Sequence, residues 1–308
     1  MNTEVEQLFT AQFAAWQQAR DNYEALQGVK SRSFDIDGAH IKVQFNPARI
    51  VSTAAKVDTK SIGERKCFLC DANRPAVQEG IEWNGEYTVL INPFPIFNKH
   101  LTIPCNAHTP QRINSRITDM LSLAKALSDY TLFYNGPRCG ASAPDHMHFQ
   151  AGNKGFMPIE NDMDSWEKTV VAETDDAKLL QVDSPLYSFY LVTGDNQGSV
   201  SALFNMILNP LPINEEAGEA MLNILCNYDL QTGKWNLIVV PRVKHRPDCY
   251  FAEGDDKLLI SPASVDMGGV LITPVEADFN KINSEHIRNL FKEVCYDKDS
   301  LSKITSKI

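Results

Sequence analysis

The segment from Cys139 to Gly152, CGASAPDHMHFQAG, places two of the chain's seven histidines one residue apart, with a glutamine at the same interval. In a strand over 145–150, side chains alternate between two faces, so His146, His148 and Gln150 would share one face. Burying three polar groups together is costly unless they have partners, so a pocket that uses them explains the pattern better than three structural residues. A neutral imidazole is a competent nucleophile near pH 7.

The loop before the histidines, YNGPRCGAS, is rich in glycine and hydrogen-bond donors. Its donors are Asn135, Arg138 and Ser142, and its glycines are Gly136 and Gly140. Glycine lets a backbone approach a ligand closely, and exposed amides together with an arginine can hold phosphate oxygens. The Gly-Lys-Ser/Thr ending of a P-loop is missing, so the loop is either a phosphate-binding loop of another type or an ordinary turn.

Cys67 and Cys70 form a C-x₂-C pair, a spacing at which two thiolates can chelate one zinc ion. Two more ligands are needed, and the candidates are His108 and one histidine of the pair. With His146 as the fourth ligand, the site would be a closed structural Cys₂His₂ site that pins the strand carrying His148. Two alternatives stay open: two uninvolved thiols, or a redox dithiol, which is disfavoured because no thioredoxin-like pattern surrounds the pair.

Composition narrows the class of protein. The formal net charge of −10 predicts no nucleic-acid partner, because such a surface repels a phosphate backbone. The first residues lack the basic start and apolar run of a signal peptide, and no stretch approaches eighteen apolar residues, so no membrane partner is predicted. Seven cysteines are too sparse for a secreted disulfide scaffold, which favours a cytoplasmic protein.

Hydrophobic periodicity predicts mixed strands and helices and therefore an α+β fold. The first half has an amphipathic docking helix over 3–27, strands at 40–45, 87–91, 101–103 and 130–134, and a helix at 112–129. The second half has strands at 187–193, 221–228 and 235–240 and helices at 199–208 and 284–296. A stretch rich in Gly, Pro and acidic residues separates the two halves and predicts a domain boundary.

Several stretches together resemble a known family in content, order and rough spacing. They are FNPARIVSTAAK, CFLCDANRP, YTVLINPFP, IPCNAHTP and NGPRCGASAPDHMHFQ, within residues 44–152. They look like the nucleotidyltransferase branch of the histidine-triad (HIT) superfamily, which includes galactose-1-phosphate uridylyltransferase, diadenosine tetraphosphate phosphorylase and the GDP-hexose phosphorylases. The resemblance implies a HIT-like antiparallel sheet with helices, built as two HIT-like halves of which the second is degenerate. The predicted organisation is a docking helix at 1–30, a catalytic domain at 31–152, a linker at 153–184 and the second domain at 185–308.

The resemblance also implies roles for individual residues. His148 would attack the α-phosphorus of a nucleotide, and Gln150 would hold phosphate oxygens of the covalent intermediate. His146 would join Cys67, Cys70 and His108 as a ligand of structural zinc, the only cofactor predicted, with no organic cofactor. The predicted substrate contacts are Asn135, Ser142, Arg138 and Gly140 at the phosphates and Asn92 and Phe94 near the nucleoside.

Two positions depart from the uridylyltransferase pattern. Three residues separate Ser142 from His146 where those enzymes have two, so the contact of Ser142 does not follow directly from the resemblance. Pro93 stands where they carry aspartate, so uridine recognition does not follow either.

The sequence therefore predicts an enzyme that cleaves a nucleotide sugar or a dinucleoside polyphosphate at the α-phosphate. It would pass the nucleotide from His148 to phosphate or to a sugar phosphate, and several relatives are dimers, which implies a homodimer. Gln150 favours transfer over hydrolysis, because the hydrolytic branch carries a third histidine there. The alternatives are a HIT-type hydrolase of nucleotide conjugates, for which water suffices as acceptor, and a catalytically silent nucleotide-binding protein.

Further cations are weaker candidates. Lys56 and Arg49 could stabilise transferred phosphate, although surface charges are usually solvated. The basic segment 242–246, RVKHR, could meet a phosphorylated acceptor or balance nearby acids.

Overall fold

The computed structural model of the chain describes residues 1–55 and 57–308. Over these residues the strands are β1 Lys30–Ile36, β2 Ala39–Phe45, β3 Gly80–Trp83, β4 Tyr87–Ile91, β5 His100–Pro104, β6 Tyr130–Asn135, β7 His148–Asn153, β8 Glu167–Glu173, β9 Ala177–Asp183, β10 Ser188–Gly194, β11 Ile213–Asn214, β12 Glu219–Ala220, β13 Leu222–Asp229, β14 Lys234–Pro241 and β15 Val270–Thr273. The α-helices are α1 Asn2–Ala15, α2 Gln17–Leu26, α3 Ile50–Thr53, α4 Thr59–Glu64, α5 Ile117–Ala126, α6 Ile159–Asp162, α7 Gln197–Leu208, α8 Asp248–Phe251, α9 Ser264–Met267, α10 Glu276–Lys281, α11 Ser284–Val294 and α12 Lys298–Thr305.

One antiparallel sheet joins strands from both halves of the chain. Its order in the described residues is β3-β4-β5-β7-β6-β13-β14-β10-β9-β8. The halves meet where β6 pairs with β13, in a register that sets Asn135 opposite Asn223. The predicted α+β fold with a large antiparallel sheet is confirmed.

Side chains alternate across this sheet, so each face has its own core. On one face the helices α1 and α7 contribute Leu8 and Leu203. On the other face, β2 and β15 of a smaller sheet contribute Val43 and Leu271, and α11 contributes Phe291. The sheet is therefore buried on both sides, which holds the ends of its central strands in fixed positions.

Three local predictions need correction. The docking helix is two helices, because Trp16 adopts an extended backbone and buries its ring, which lets α1 and α2 pack side by side. The segment 153–184, predicted as a linker, contains β8 and β9, which extend the sheet. The strand predicted at 145–150 begins only at His148, since a turn closed by the His146 N–H and the Ala143 carbonyl precedes it.

The other predicted strands and helices lie at or within two residues of the predicted positions, except that α5 is shorter at both ends than 112–129. Among the described residues, no helix is both long enough and apolar enough to cross a membrane.

Candidate active site and metal centre

The central strand β7 positions the candidate nucleophile. Its neighbours are β5 and β6, and Phe149 and Ala151 pack into the core on the helical face. His148 and Gln150 therefore face the opposite side. The buried Gln111 fixes the start of the strand, because its amide accepts a hydrogen bond from the His148 N–H at 2.8 Å and donates to the His148 carbonyl at 3.1 Å.

The hydrogen bond of His148 defines its tautomer. Its Nδ1 lies 2.8 Å from the carbonyl oxygen of His146, and a carbonyl can only accept, so Nδ1 carries the proton. Nε2 is then the unprotonated nitrogen with a free lone pair. Burial has the largest effect on the pKa of His148 and lowers it, and the hydrogen bond to the His146 carbonyl opposes this effect. The resulting pKa is about 4. The ring is thus neutral near pH 7, as a nucleophile must be.

The Gln150 amide is oriented by His100, a fully buried residue of β5. The Ile96 N–H donates to His100 Nδ1 at 3.2 Å, so the proton of that ring is on Nε2. His100 Nε2 lies 3.1 Å from Gln150 Oε1 and donates to it. The carbonyl end of the amide is therefore occupied, and its NH₂ group is left to donate to a ligand. Burial, with a smaller contribution from Arg49, lowers the pKa of His100 to about 3, so this tautomer persists in mildly acidic solution.

His148 and Gln150 line a cavity of about 660 Å³. This volume falls within the range of small-molecule sites, about 300–1,000 Å³. Both halves of the chain line it, and the second half contributes His245, Arg246 and Asp266. Its wall holds four arginines, Arg49, Arg65, Arg74 and Arg246, against one carboxylate within the described residues, that of Asp266. An anionic ligand of nucleotide size suits this arrangement.

Five of the six predicted substrate contacts line this cavity, and one does not. Those that do are Asn92, Phe94, Asn135, Gly140 and Ser142. Arg138 instead forms an ion pair with Glu216 and lines a separate shallow depression. The structure therefore does not bring Arg138 to the candidate site.

The loop residues Asn135 and Gly140 are held by the second half of the chain. Asn135 Oδ1 accepts hydrogen bonds from the Ser264 N–H at 2.8 Å and from Asn223 Nδ2 at 3.1 Å. Gly140 has a φ of +95°, and a Cβ there would lie 2.5 Å from the Ala263 Cβ. Glycine at this position is thus required by packing between the halves and by its backbone conformation, which the sequence prediction of a close ligand approach did not foresee.

Cys67, Cys70, His108 and His146 come together at one place, although up to 79 residues separate them. Their ligand atoms all lie within 4.8 Å of one another. His146 Nδ1 lies 3.3 Å from Cys67 Sγ and 3.5 Å from Cys70 Sγ, and His108 Nδ1 lies 3.1 Å from Cys70 Sγ. Tetrahedral zinc, bonded at about 2.0–2.3 Å, separates its ligand atoms by about 3.3–3.8 Å, so the four side chains fit such an ion.

The surroundings of the cluster leave the correct nitrogen atoms for a metal. His146 Nε2 lies 2.7 Å from the Cys105 carbonyl and donates to it, so Nδ1 is unprotonated and faces the thiols. His108 Nε2 lies 3.8 Å from the Asp145 carboxylate, which also pairs with Arg65. Burial is the largest single effect on the pKa of Cys67 and raises it. The hydrogen bond to His146 and those from nearby backbone N–H groups together outweigh burial, and the resulting pKa is about 6. The four residues can hold a metal ion.

Only some residues of the basic segment 242–246 reach the cavity. Arg242 is buried and donates to Asn223 and to the carbonyl groups of Val294 and Pro262, which is a structural role. Lys244 pairs with Asp248 and Glu293 outside the cavity. His245 and Arg246 line the cavity. Lys56, the other weak candidate, lies outside the described residues.

Sequence reasoning missed the supporting residues His100 and Gln111. His100 belongs to the NPFPIFNKH stretch, and only the sheet register places it beside β7. Gln111 carried no signal, since a single glutamine after a proline is common in loops.

Comparisons with known proteins agree with this architecture. Residues 8–153 match a family model described as a domain of unknown function, DUF4922. No curated protein matches the chain in sequence. Among solved structures, yeast Ap4A phosphorylase Apa2 in complex with Ap4A aligns at a TM-score of 0.60 and 18% identity, covering 92% of this chain and 97% of that chain.

Two further structures of yeast Ap4A phosphorylase Apa2 are also similar. One covers 91% of this chain and 94% of that chain, with a TM-score of 0.57 and 18% identity. The other, in complex with AMP, covers 89% of this chain and 92% of that chain, with a TM-score of 0.56 and 17% identity. At such low identity the likeness establishes a shared fold alone, over nearly the whole chain.

Proposed function

We propose that this protein is a nucleotidyltransferase of the phosphorylase type. It would cleave a dinucleoside polyphosphate or a nucleotide sugar at the α-phosphate and pass the nucleotide to phosphate or a sugar phosphate. The observation that carries the proposal is the state of His148, a neutral ring whose protonated nitrogen is bound to a carbonyl and whose other nitrogen is free, in a cavity rich in arginine.

The chemistry would proceed in two displacements. His148 Nε2 forms a bond to the α-phosphorus, and the bond from that phosphorus to its bridging oxygen breaks, with the electron pair leaving on the departing phosphate. An oxygen of the acceptor phosphate then attacks the same phosphorus, and the bond to Nε2 breaks. No proton has to leave the ring in the first step, because Nδ1 keeps its proton and continues to donate it in a hydrogen bond to the His146 carbonyl.

The protein would mainly position groups and stabilise charge in these steps. The NH₂ group of Gln150, oriented by His100, is a donor for a non-bridging phosphate oxygen. The Asn135 amide nitrogen is a second donor, because the Oδ1 of that side chain is already occupied. A ligand of the Ap4A or AMP class, such as the yeast phosphorylase structures contain, is compatible with the size and charge of the cavity.

We also propose that the metal of the Cys/His cluster is zinc with a structural role. Cys67, Cys70, His108 and His146 would hold it, and four protein ligands leave no open position for a substrate. When bound, the ion would tie the segment before β7 to the loop at 67–70 and thereby fix the His146 carbonyl that orients His148.

The test is product analysis over ADP-, GDP- and UDP-hexoses and dinucleoside polyphosphates, each with and without phosphate. We expect phosphate-dependent release of a nucleoside diphosphate and a nucleotide adduct on His148 detectable by mass spectrometry. Turnover without phosphate would identify a hydrolase instead. Binding without adduct or turnover, with either phosphate or a sugar phosphate as acceptor, would contradict the proposal.

A further inference from the structure

The four arginines of the cavity wall are not equivalent in charge balance. Arg65 pairs with the Asp145 carboxylate, and Arg74 pairs with the Asp71 carboxylate. Arg49 donates to the Phe94 carbonyl at 2.8 Å. Arg246 donates to the Ser261 hydroxyl at 2.9 Å and to the Ala55 carbonyl at 3.2 Å. In the described part of the chain, neither Arg49 nor Arg246 forms an ion pair with a carboxylate. The Asp266 carboxylate nevertheless acts on the charge of Arg49 and raises its pKa against the larger lowering by burial, so Arg246 is the less balanced of the two.

Arg246 is held in a fixed orientation. Its Nε and Nη2 atoms donate to Ser261 and Ala55, and the guanidinium lies over the Tyr250 ring, 4.2 Å from the centroid. The residues described offer no acceptor for Nη1. A guanidinium fixed on one edge and against an aromatic face loses little entropy when the remaining edge binds a phosphate.

The local potential around Arg246 is positive. Burial, together with the nearby charges of Arg246, Arg242 and Arg138, lowers the pKa of His245 to about 3. Burial also lowers the pKa of Arg246 itself. The charged guanidinium is therefore partly desolvated without a carboxylate partner, and a bound anion would supply the missing compensation.

The proposed chemistry defines which anion belongs there. In two successive displacements at one phosphorus, the imidazole of His148 occupies one side, so the leaving phosphate departs and the acceptor phosphate enters on the other side. One site thus serves both groups, in turn. Arg246 comes from the other half of the chain but lines the same cavity as His148, so one substrate can contact both residues.

We propose that Arg246, with Arg49, forms the site for the phosphates beyond the α-phosphate: first the leaving phosphate of the donor, then the acceptor phosphate. This inference rests on the proposed function for the identity of the two groups. The binding of a phosphate anion by Arg246 can nevertheless be tested without any turnover.

The experiment is isothermal titration of the full chain with pyrophosphate and, separately, with a nucleoside 5′-monophosphate. We expect Arg246→Gln to weaken pyrophosphate binding at least about tenfold and to change monophosphate binding less than about threefold. Arg246→Lys keeps the charge but loses the fork, so we expect an intermediate loss. Lys244→Gln is the matched control. It also removes one positive charge, two residues before Arg246, but two carboxylates already balance the Lys244 ammonium.

Equal weakening of both ligands in Arg246→Gln, or no weakening of either, would overturn the proposal. So would the absence of pyrophosphate binding to the unsubstituted protein at millimolar concentration. If Arg246→Gln fails to fold, as judged by its unfolding midpoint, the Arg246→Lys titration decides the question alone. Selective loss of pyrophosphate binding in a protein that forms no His148 adduct would refute the proposed function and leave the anion site in place.

Discussion

The metal cluster and the cavity use two histidines from one short segment, and they engage the imidazole ring differently. Both ring nitrogens of His146 are engaged, one with the Cys105 carbonyl and one with two thiols. His148 has one nitrogen on a carbonyl, and its Nε2 has no partner among the described residues. A ring with both nitrogens engaged is suited to holding structure, and a ring with one free lone pair in a cavity is suited to chemistry.

The first prediction separates these two roles. We expect His148→Asn to reduce nucleotidyl transfer at least about 10³-fold with little change in the unfolding midpoint, because an amide nitrogen is not a nucleophile. His146→Asn should instead lower metal content and stability. Steady-state kinetics and thermal unfolding of both variants check this. Comparable activity losses with comparable destabilisation in the two would remove the distinction.

The second prediction concerns the metal. The isolated protein should contain about one zinc per chain, and Cys67→Ser should lose it and lower the free energy of unfolding by about 3 kcal/mol. Elemental analysis and urea unfolding measure the two quantities, and Cys226→Ser, a buried thiol outside the cluster, is the control for a cysteine change alone. Full stability in a metal-free Cys67→Ser protein would show that the cluster does not stabilise the fold through a metal.

The third prediction uses the pH dependence of stability. The pKa of His100 is about 3 in the folded protein and about 6.5 unfolded, so between these values the unfolded state binds one more proton. Stability should therefore fall as pH falls, and His100 should account for a loss of about 2 kcal/mol between about pH 7 and pH 5. His100→Gln, which keeps a donor for Gln150, should flatten the curve by that amount. The free energy of unfolding is measured by urea unfolding at each pH. If it changes with pH by the same amount in both proteins, the buried neutral state of His100 is contradicted.

The fourth prediction tests the orientation of Gln150. We expect His100→Leu to lower kcat about tenfold with a small change in KM, because the Gln150 amide loses the donor that fixes its carbonyl end. His100→Gln should restore most of kcat, since a glutamine NH₂ can replace the imidazole N–H. An equal loss of kcat in the two variants would indicate a packing effect, because glutamine can donate the hydrogen bond to Gln150 and leucine cannot.

Local spacing in the sequence predicted most of the residues proposed to carry the chemistry. The C-x₂-C pair predicted a metal cluster whose four candidate ligands the structure does bring to one place. The His-x-His-x-Gln run is divided instead, because His146 lies in that cluster while His148 and Gln150 line the cavity. Periodicity also predicted the α+β class and most strands, because alternation and helical spacing follow directly from which face of an element is buried. The strand start at His148 was missed because Pro144 and the turn after Ala143 override the alternation.

The tertiary structure alone decided which residues support these groups. His100 reaches Gln150 only through the register of β5 and β7, and Arg246 reaches the cavity only because β13 pairs with β6 and joins the two halves. The same packing turns Arg138 toward Glu216 and out of the site. Contacts between residues 50 or more positions apart depend on sheet register and core packing, which act over the whole chain, and a local sequence pattern does not contain that information.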